Sequence, residues 1–275
     1  MLPTASQWRR ARWLSPLVRE RRRFMVNELL GRGGAHEYHL RSQDLVAVLR
    51  HNHYDAHVLH EVVRDPFYTP PPEVDRLVGE EPRVLDLGGN IGFFGLLVLS
   101  RYPGARVVSF EPDPANVALL KRNIARNGHE DRWTVVEACA GAADGETPFV
   151  GGQGALSRMP LPGDGTGDAP TMTAPVVDVF PHLSGVDVLK IDIEGAEWAL
   201  LADQRFADAR PPAVLLEWHT YDCPEDNPRR AAARRLEELG YTIRHEKPAP
   251  VPDAEPLYGA GTLWAWQGES TNVDD

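Results

Sequence analysis

The stretch Arg83-Val-Leu-Asp-Leu-Gly-Gly-Asn-Ile-Gly92 runs from a short apolar segment into a glycine turn, and an apolar, helix-like segment (91–101) follows it. A second strand-like run, Ala105-Arg-Val-Val-Ser-Phe110, ends on Glu111, 25 residues beyond Asp86. Strand, glycine turn, helix, strand and strand-end acid form the layout of a nucleoside-binding βαβ unit. A dinucleotide turn needs glycine at the first, third and sixth places of G-x-G-x-x-G; counted from Gly88, the third is Asn90 and the sixth is Phe93, so that pattern fails. The spacing that fits is D-x-G-x-N-x-G, which reads as a site for S-adenosylmethionine. That molecule offers an ammonium, a carboxylate, a sulfonium and two ribose hydroxyls. Asp86 is expected at its amino-acid end, directly or through water. Gly88 and Gly89 would allow close backbone approach, having no Cβ. Glu111 would accept hydrogen bonds from the ribose hydroxyls. Asn90, Gly92, Phe93, Pro112 and Asn116 complete the expected cofactor set around this turn.

Working outward, the 275 residues are enough for one large domain or a domain with an extension. Hydrophobic content of 42% and charged content of 25% are ordinary for a globular protein. The net charge of −11 argues against nucleic acid as a partner. Of 29 basic residues only Lys121, Lys190 and Lys247 are lysine. Two cysteines, Cys139 and Cys223, are too few for a disulfide scaffold or a structural zinc site. No run approaches the roughly 18 apolar residues of a membrane span. The arginine-rich N-terminus lacks the apolar core of a secretory signal, so a cytoplasmic enzyme is expected.

The N-terminal stretch places seven arginines before position 24, interleaved with Trp8, Trp13, Leu14, Leu17, Val18 and Phe24. It reads as a helix whose apolar side docks on the body of the protein or on a sister subunit, which would make a homo-oligomer. Two alternating runs at 36–41 and 44–50 read as strands, and 56–64 as a helix. Residues 1–73 are therefore expected to be an extension, serving as a substrate lid or oligomer contact, ahead of a domain at 74–275. In that domain strands are expected at 83–87, 105–110, 132–138, 186–192, 213–218, 241–246 and 262–266. Helices are expected at 91–101, 114–127, 195–203 and 228–239. Repeated βα units imply an α/β fold with a mainly parallel sheet of seven strands covered by helices on both faces, and one antiparallel strand from a terminal hairpin. The stretch 151–174, rich in Gly, Pro, Asp and Thr, is too long for a plain connector.

Ligands of such sheets sit at the carboxyl ends of the strands. The third strand ends at Glu137, Ala138 and Cys139, expected beside an adenine ring. The fourth ends at Asp192, followed by Glu194 and Glu197, of which either could favour the next helix N-terminus. The fifth ends at Glu217 and His219. Asp192, Glu217 and His219 should converge near a reactive methyl group, with His219 or Asp192 as base for an alcohol nucleophile. Asp192, Glu194, Glu217 and His219 also supply enough donors for a divalent metal, but no tight ligand spacing marks such a site, so no metal ligand is assigned.

These motifs together resemble one family. Val84–Gly92, Ser109-Phe-Glu-Pro112 and above all Leu189-Lys-Ile-Asp-Ile-Glu-Gly-Ala-Glu197 are similar to the FkbM methyltransferases, as are Leu49-Arg50, Tyr54-Asp55, Glu61 and Tyr68 upstream. The similarity covers roughly residues 38–220. It implies a Rossmann-like class I methyltransferase that uses S-adenosylmethionine to methylate hydroxyl groups of natural products such as macrolides and sugars. It also implies acceptor-binding roles for Asp55, Tyr68 and Ser157, and a small hydroxylated molecule as the partner.

Overall fold

The computed structural model describes residues 3–31, 33–51, 53–64, 66–151, 171–245 and 260–268. Ser157 and most of the 151–174 stretch lie outside the described residues. The chain opens with helices α1 (Ala5–Leu14) and α2 (Arg21–Leu30), a hairpin of β1 (Ala35–His39) and β2 (Val46–Arg50), and helices α3 (Asp55–Arg64) and α4 (Pro72–Val78). Thr4 closes a capping box with Gln7 at the start of α1. Of the apolar residues expected to dock, Leu14, Leu17, Val18 and Phe24 are buried in one cluster with Ile91, Phe94 and Trp133 of the main domain, Trp13 packs against it partly buried, and Trp8 does not dock, being 45% exposed.

The main domain alternates β3 (Arg83–Leu87), α5 (Phe93–Arg101), β4 (Arg106–Phe110), α6 (Pro114–Arg126) and β5 (Trp133–Val136). A small sheet follows, made of β6 (Cys139–Gly141), β7 (Gly145–Val150) and β8 (Thr171–Asp178). Then come β9 (Val188–Ile191), α7 (Glu197–Ala202), α8 (Gln204–Ala209), β10 (Ala213–Trp218), α9 (Pro228–Glu238), β11 (Tyr241–His245) and β12 (Gly261–Gln267). The main sheet has seven strands in the order β11-β12-β10-β9-β3-β4-β5, and β12 alone runs antiparallel to its neighbours. This is the Rossmann-like, class I methyltransferase arrangement. The expected strands all form, shorter by one or two residues at several ends. The helix expected over 195–203 instead begins at Glu197, because Glu194 and Gly195 both hold positive φ, 54° and 109°. The three-stranded β6–β8 sheet was not foreseen; its strands carry Gly141, Gly145, Pro148 and Pro175, which mask strand character.

Two-residue periodicity sorts the strands' side chains between the faces. Leu85, Leu87, Leu189, Ile191, Val214 and Leu216 join one core, with α7, α8 and α9. Val84, Val188, Ala213 and Leu215 join the other, which the N-terminal elements and α5 cover. Asp86 and Lys190 share that second face and lie side by side in the β3–β9 register. The chain steps from β3 to β4 on one side and returns to β9 on the other, so β3 and β9 flank the switch point where such folds open a crevice.

Candidate active site

The glycine turn is tight for reasons internal to the protein. A Cβ on Gly88, whose φ is 84°, would lie 1.8 Å from the Asp192 carbonyl oxygen. One on Gly89 would lie 2.8 Å from Ser109 Cβ, and one on Gly92 would press on Trp133 and Leu120. Beside the close backbone approach expected of Gly88 and Gly89, their missing side chains let two strand ends and a helix close on one another. Asn90 takes a left-handed conformation, φ 47°, which aims its backbone N–H at Glu111 Oε2, 2.8 Å away. Phe93 is expected at the cofactor, but its side chain is buried in the core.

Asp86 is fully buried. Its Oδ2 accepts from Ser109 Oγ at 2.8 Å, and Ser109 in turn accepts from Trp133 Nε1 at 2.9 Å. Its Oδ1 lies 3.3 Å from Lys190 Nζ but accepts no hydrogen bond. Lys190 donates to the Gly88 carbonyl at 2.9 Å and pairs with Asp192 Oδ2 at 3.2 Å. Burial alone would lower the lysine's pKa, but the charges of Asp192 and Asp86 reverse this and raise it, so it stays cationic. Lys190 is the residue that sequence reasoning missed. Its signal was there: a lysine inside an apolar strand, in a chain that otherwise uses arginine almost everywhere.

Glu111, at the end of β4, is 5% exposed. Besides Asn90 N–H it accepts from Asp113 N–H at 2.9 Å and from Asn116 Nδ2 at 3.3 Å. Burial pushes its carboxyl up to about 7 against these donors. Asn116 Oδ1 accepts from Arg50 Nη2 at 2.8 Å, and Arg50 forks onto Asp55 at 2.8 and 3.0 Å. Asp55 also accepts the Arg50 backbone N–H and is 1% exposed. It is therefore the anchor of a strut from the N-terminal hairpin to the Glu111 region, which corrects its expected place at the acceptor. Pro112 is partly exposed beside Glu111. Beyond β5, Ala138 and Cys139 are buried, and burial raises the Cys139 thiol to about 12. Glu137 points outward and pairs with Lys121.

The expected acids and histidine do meet. His219 is 4% exposed, and its Nδ1 faces Glu197 Oε1 at 3.0 Å. Its Nε2 lies 3.6 Å from Glu194 and 4.0 Å from Glu217. Glu197, one of the two acids expected at the next helix N-terminus, does open α7; its side chain turns inward, fully buried, and accepts from the backbone N–H groups of Gly195 and His219 as well. Burial pulls His219 down, but the hydrogen bond to Glu197 and the charges of Glu194 and Glu217 push it up to about 10. Burial and the charge of Asp192 push Glu217 up to about 8. Tyr68 is buried nearby; burial and the charges of Glu217 and Asp192 raise its phenol well above the usual range.

A family model described as "Methyltransferase FkbM domain" matches residues 86–243, more than half of the chain. The chain belongs to this methyltransferase family. It is similar to Methyltransferase sdnD of Sordaria araneosa, 26% identical over 207 residues, 62% of this chain and 78% of that protein. It is equally similar to Methyltransferase 1 of Beauveria bassiana, 26% identical over 208 residues, 64% of this chain and 78% of that one. Aeropyrum pernix fibrillarin with bound S-adenosyl-L-methionine aligns at a TM-score of 0.42 and 13% identity over 84% of this chain and 94% of that one. No described helix is long and apolar enough to cross a membrane.

Proposed function

We propose that this methyltransferase uses S-adenosylmethionine to methylate a hydroxyl of a small natural product. The observation that carries the reading is at the carboxyl ends of β3 and β4, where the buried acceptor Asn90 Oδ1 makes no hydrogen bond and Glu111 stands beside it. A buried acceptor without a donor is costly, and a ligand bearing ribose hydroxyls would supply donors to Asn90 and Glu111. Glu111 would hold the ribose through Oε2, which accepts from Asn90 N–H alone and retains a lone pair, whereas Oε1 already accepts from Asp113 N–H and Asn116 Nδ2. Asp86, fully enclosed, would act on the amino-acid end through Lys190 and the Gly88 backbone rather than by direct contact. When bound, S-adenosylmethionine supplies a methyl group already activated on sulfur, which passes to the acceptor oxygen while sulfur keeps the bonding pair.

The chain's remaining task is to orient the hydroxyl and take its proton. Glu217, at about 8 and partly exposed, is matched to that task near neutral pH. His219, protonated and held by Glu197, suits positioning rather than base duty, which moves the base from His219 or Asp192 to Glu217. The apolar, aromatic Tyr68–Phe94 side, with ring centroids 6.2 Å apart, would face the acceptor. Support for a natural-product acceptor is the likeness to the fungal methyltransferases; the net charge of −11 disfavours nucleic acid.

Calorimetric titration with S-adenosylhomocysteine tests the reading, run beside NAD and the Glu111→Ala variant. Micromolar binding of the first ligand alone is expected, weakened in the variant by roughly tenfold to a hundredfold, as befits one lost hydrogen bond to a charged group. Binding of NAD instead would overturn it. The pH dependence has a defined sign: Glu111 accepts best as a carboxylate, so affinity should fall as pH drops below about 7, by at most roughly tenfold per unit. Affinity independent of pH between 5.5 and 8 would remove Glu111 from the contact. His219→Ala should lower turnover and leave this affinity intact.

A further inference from the structure

Asp192, Glu194 and His219 each present one donor atom to a common point, and these three atoms lie within 4.8 Å of one another. Asp192 and Glu194 come from the end of β9, and His219 from just beyond the end of β10. We propose that these three side chains form a binding site for one hard divalent cation, Mn²⁺ or Mg²⁺.

Several independent observations carry this. The first is His219. It is buried, and its Nδ1 is engaged by Glu197, a carboxylate held in turn by two backbone N–H groups. A carboxylate that holds Nδ1–H leaves Nε2 as the ligating nitrogen once a cation displaces its proton, the usual arrangement behind a metal-bound histidine. That other nitrogen, Nε2, points into the acid cluster, and its contacts there, 3.6 and 4.0 Å, are longer than hydrogen bonds. The second is spacing. A cation about 2.1–2.3 Å from each donor requires donors roughly 3 to 4.5 Å apart, so the present separations need only small rotamer changes. The third is charge. Asp86, Asp192, Glu194, Glu197 and Glu217 crowd around Lys190 and His219. Such a local excess of negative charge favours a divalent ion.

The donor set of two carboxylates and one imidazole selects the class of metal. Carboxylate and water suit Mg²⁺ and Mn²⁺, and the added imidazole favours Mn²⁺ of the two. Three protein donors leave open positions for water or an acceptor oxygen. Holding the acceptor hydroxyl next to Glu217 is the role that would follow. That role rests on the methyltransferase reading; the binding of the cation does not.

The test is a titration of the chelator-treated full chain with MnCl₂, following free Mn²⁺ by electron paramagnetic resonance. Circular dichroism checks that each variant is folded. One Mn²⁺ per chain is expected, weakened tenfold or more by Glu194→Gln and by Asp192→Asn and unchanged by Glu146→Gln on the exposed edge of β7. Glu194 lies on a partly exposed loop, so its variant should fold even if His219→Ala does not. Absence of binding to the parent protein at millimolar Mn²⁺, or binding that folded Glu194→Gln and Asp192→Asn leave unaltered, overturns the site. A parallel titration with S-adenosylhomocysteine separates the two ideas. A protein that binds S-adenosylhomocysteine but fails to bind Mn²⁺ sinks the metal site alone, and one that binds Mn²⁺ but fails to bind S-adenosylhomocysteine sinks the cofactor reading alone.

Discussion

Lys190→Met is expected to destabilise the protein by roughly 3–5 kcal/mol, the cost of stripping one partner from a buried ion pair. Lys190 Nζ joins Asp86, Asp192 and the Gly88 carbonyl, and its side chain is 4% exposed. Methionine can fill its volume, so the loss would come from charge and hydrogen bonding rather than from a cavity. Asp86 would remain fully buried with Ser109 as its one hydrogen-bond donor. The check is urea denaturation of a double-mutant cycle. Asp86→Asn in the Lys190→Met background should cost less than Asp86→Asn alone, with a coupling of about 1–3 kcal/mol. Additive effects would show that Lys190 acts through packing. Because Lys190 also holds the Gly88 carbonyl, the single variant should bind S-adenosylhomocysteine more weakly at temperatures where it is still folded.

Gly88→Ala is the second large effect. The added Cβ meets the Asp192 carbonyl at 1.8 Å, backbone against backbone, in a conformation of φ 84° that alanine resists. The left-handed backbone costs about 1–2 kcal/mol, and relieving the overlap by separating β3 from β9 costs a further 1–3 or more. A total of roughly 2–5 kcal/mol is expected, with cofactor binding lost even where the chain folds. Gly128→Ala supplies the comparison: its φ is 66°, but nothing lies within 4 Å of the added carbon, so the backbone cost alone should appear. Equal losses at the two positions would show that the contact with Asp192 is relieved cheaply.

Much of the site can be read in one dimension. A strand followed by a glycine turn and a strand-end acid places Asp86, Asn90 and Glu111 at one crevice because strands of this fold share their carboxyl ends. The same rule brings Asp192, Glu217 and His219 together. What could not be read is direction. Glu137 and Cys139 are neighbours in sequence, yet one side chain faces solvent and the other is buried. The family resemblance pointed to Asp55 as an acceptor residue; its partner Arg50 sits five residues before it and binds it end-on. Glu197 looked like a helix-end acid, and only the approach of β10 makes it the orienting group of His219.

The sequence by itself determined the α/β alternation, the seven strands of the main sheet, the dinucleotide exclusion and the family, since these depend on local periodicity and on residue types at fixed spacing. The tertiary structure decided which glycines answer to packing, that Lys190 bridges two strands, and that the imidazole of His219 is held from behind while its other nitrogen faces acids. Those are relations between residues 22 to 104 positions apart. They arise where separate strands are brought into register, and no short-range pattern in the chain encodes the distance between them.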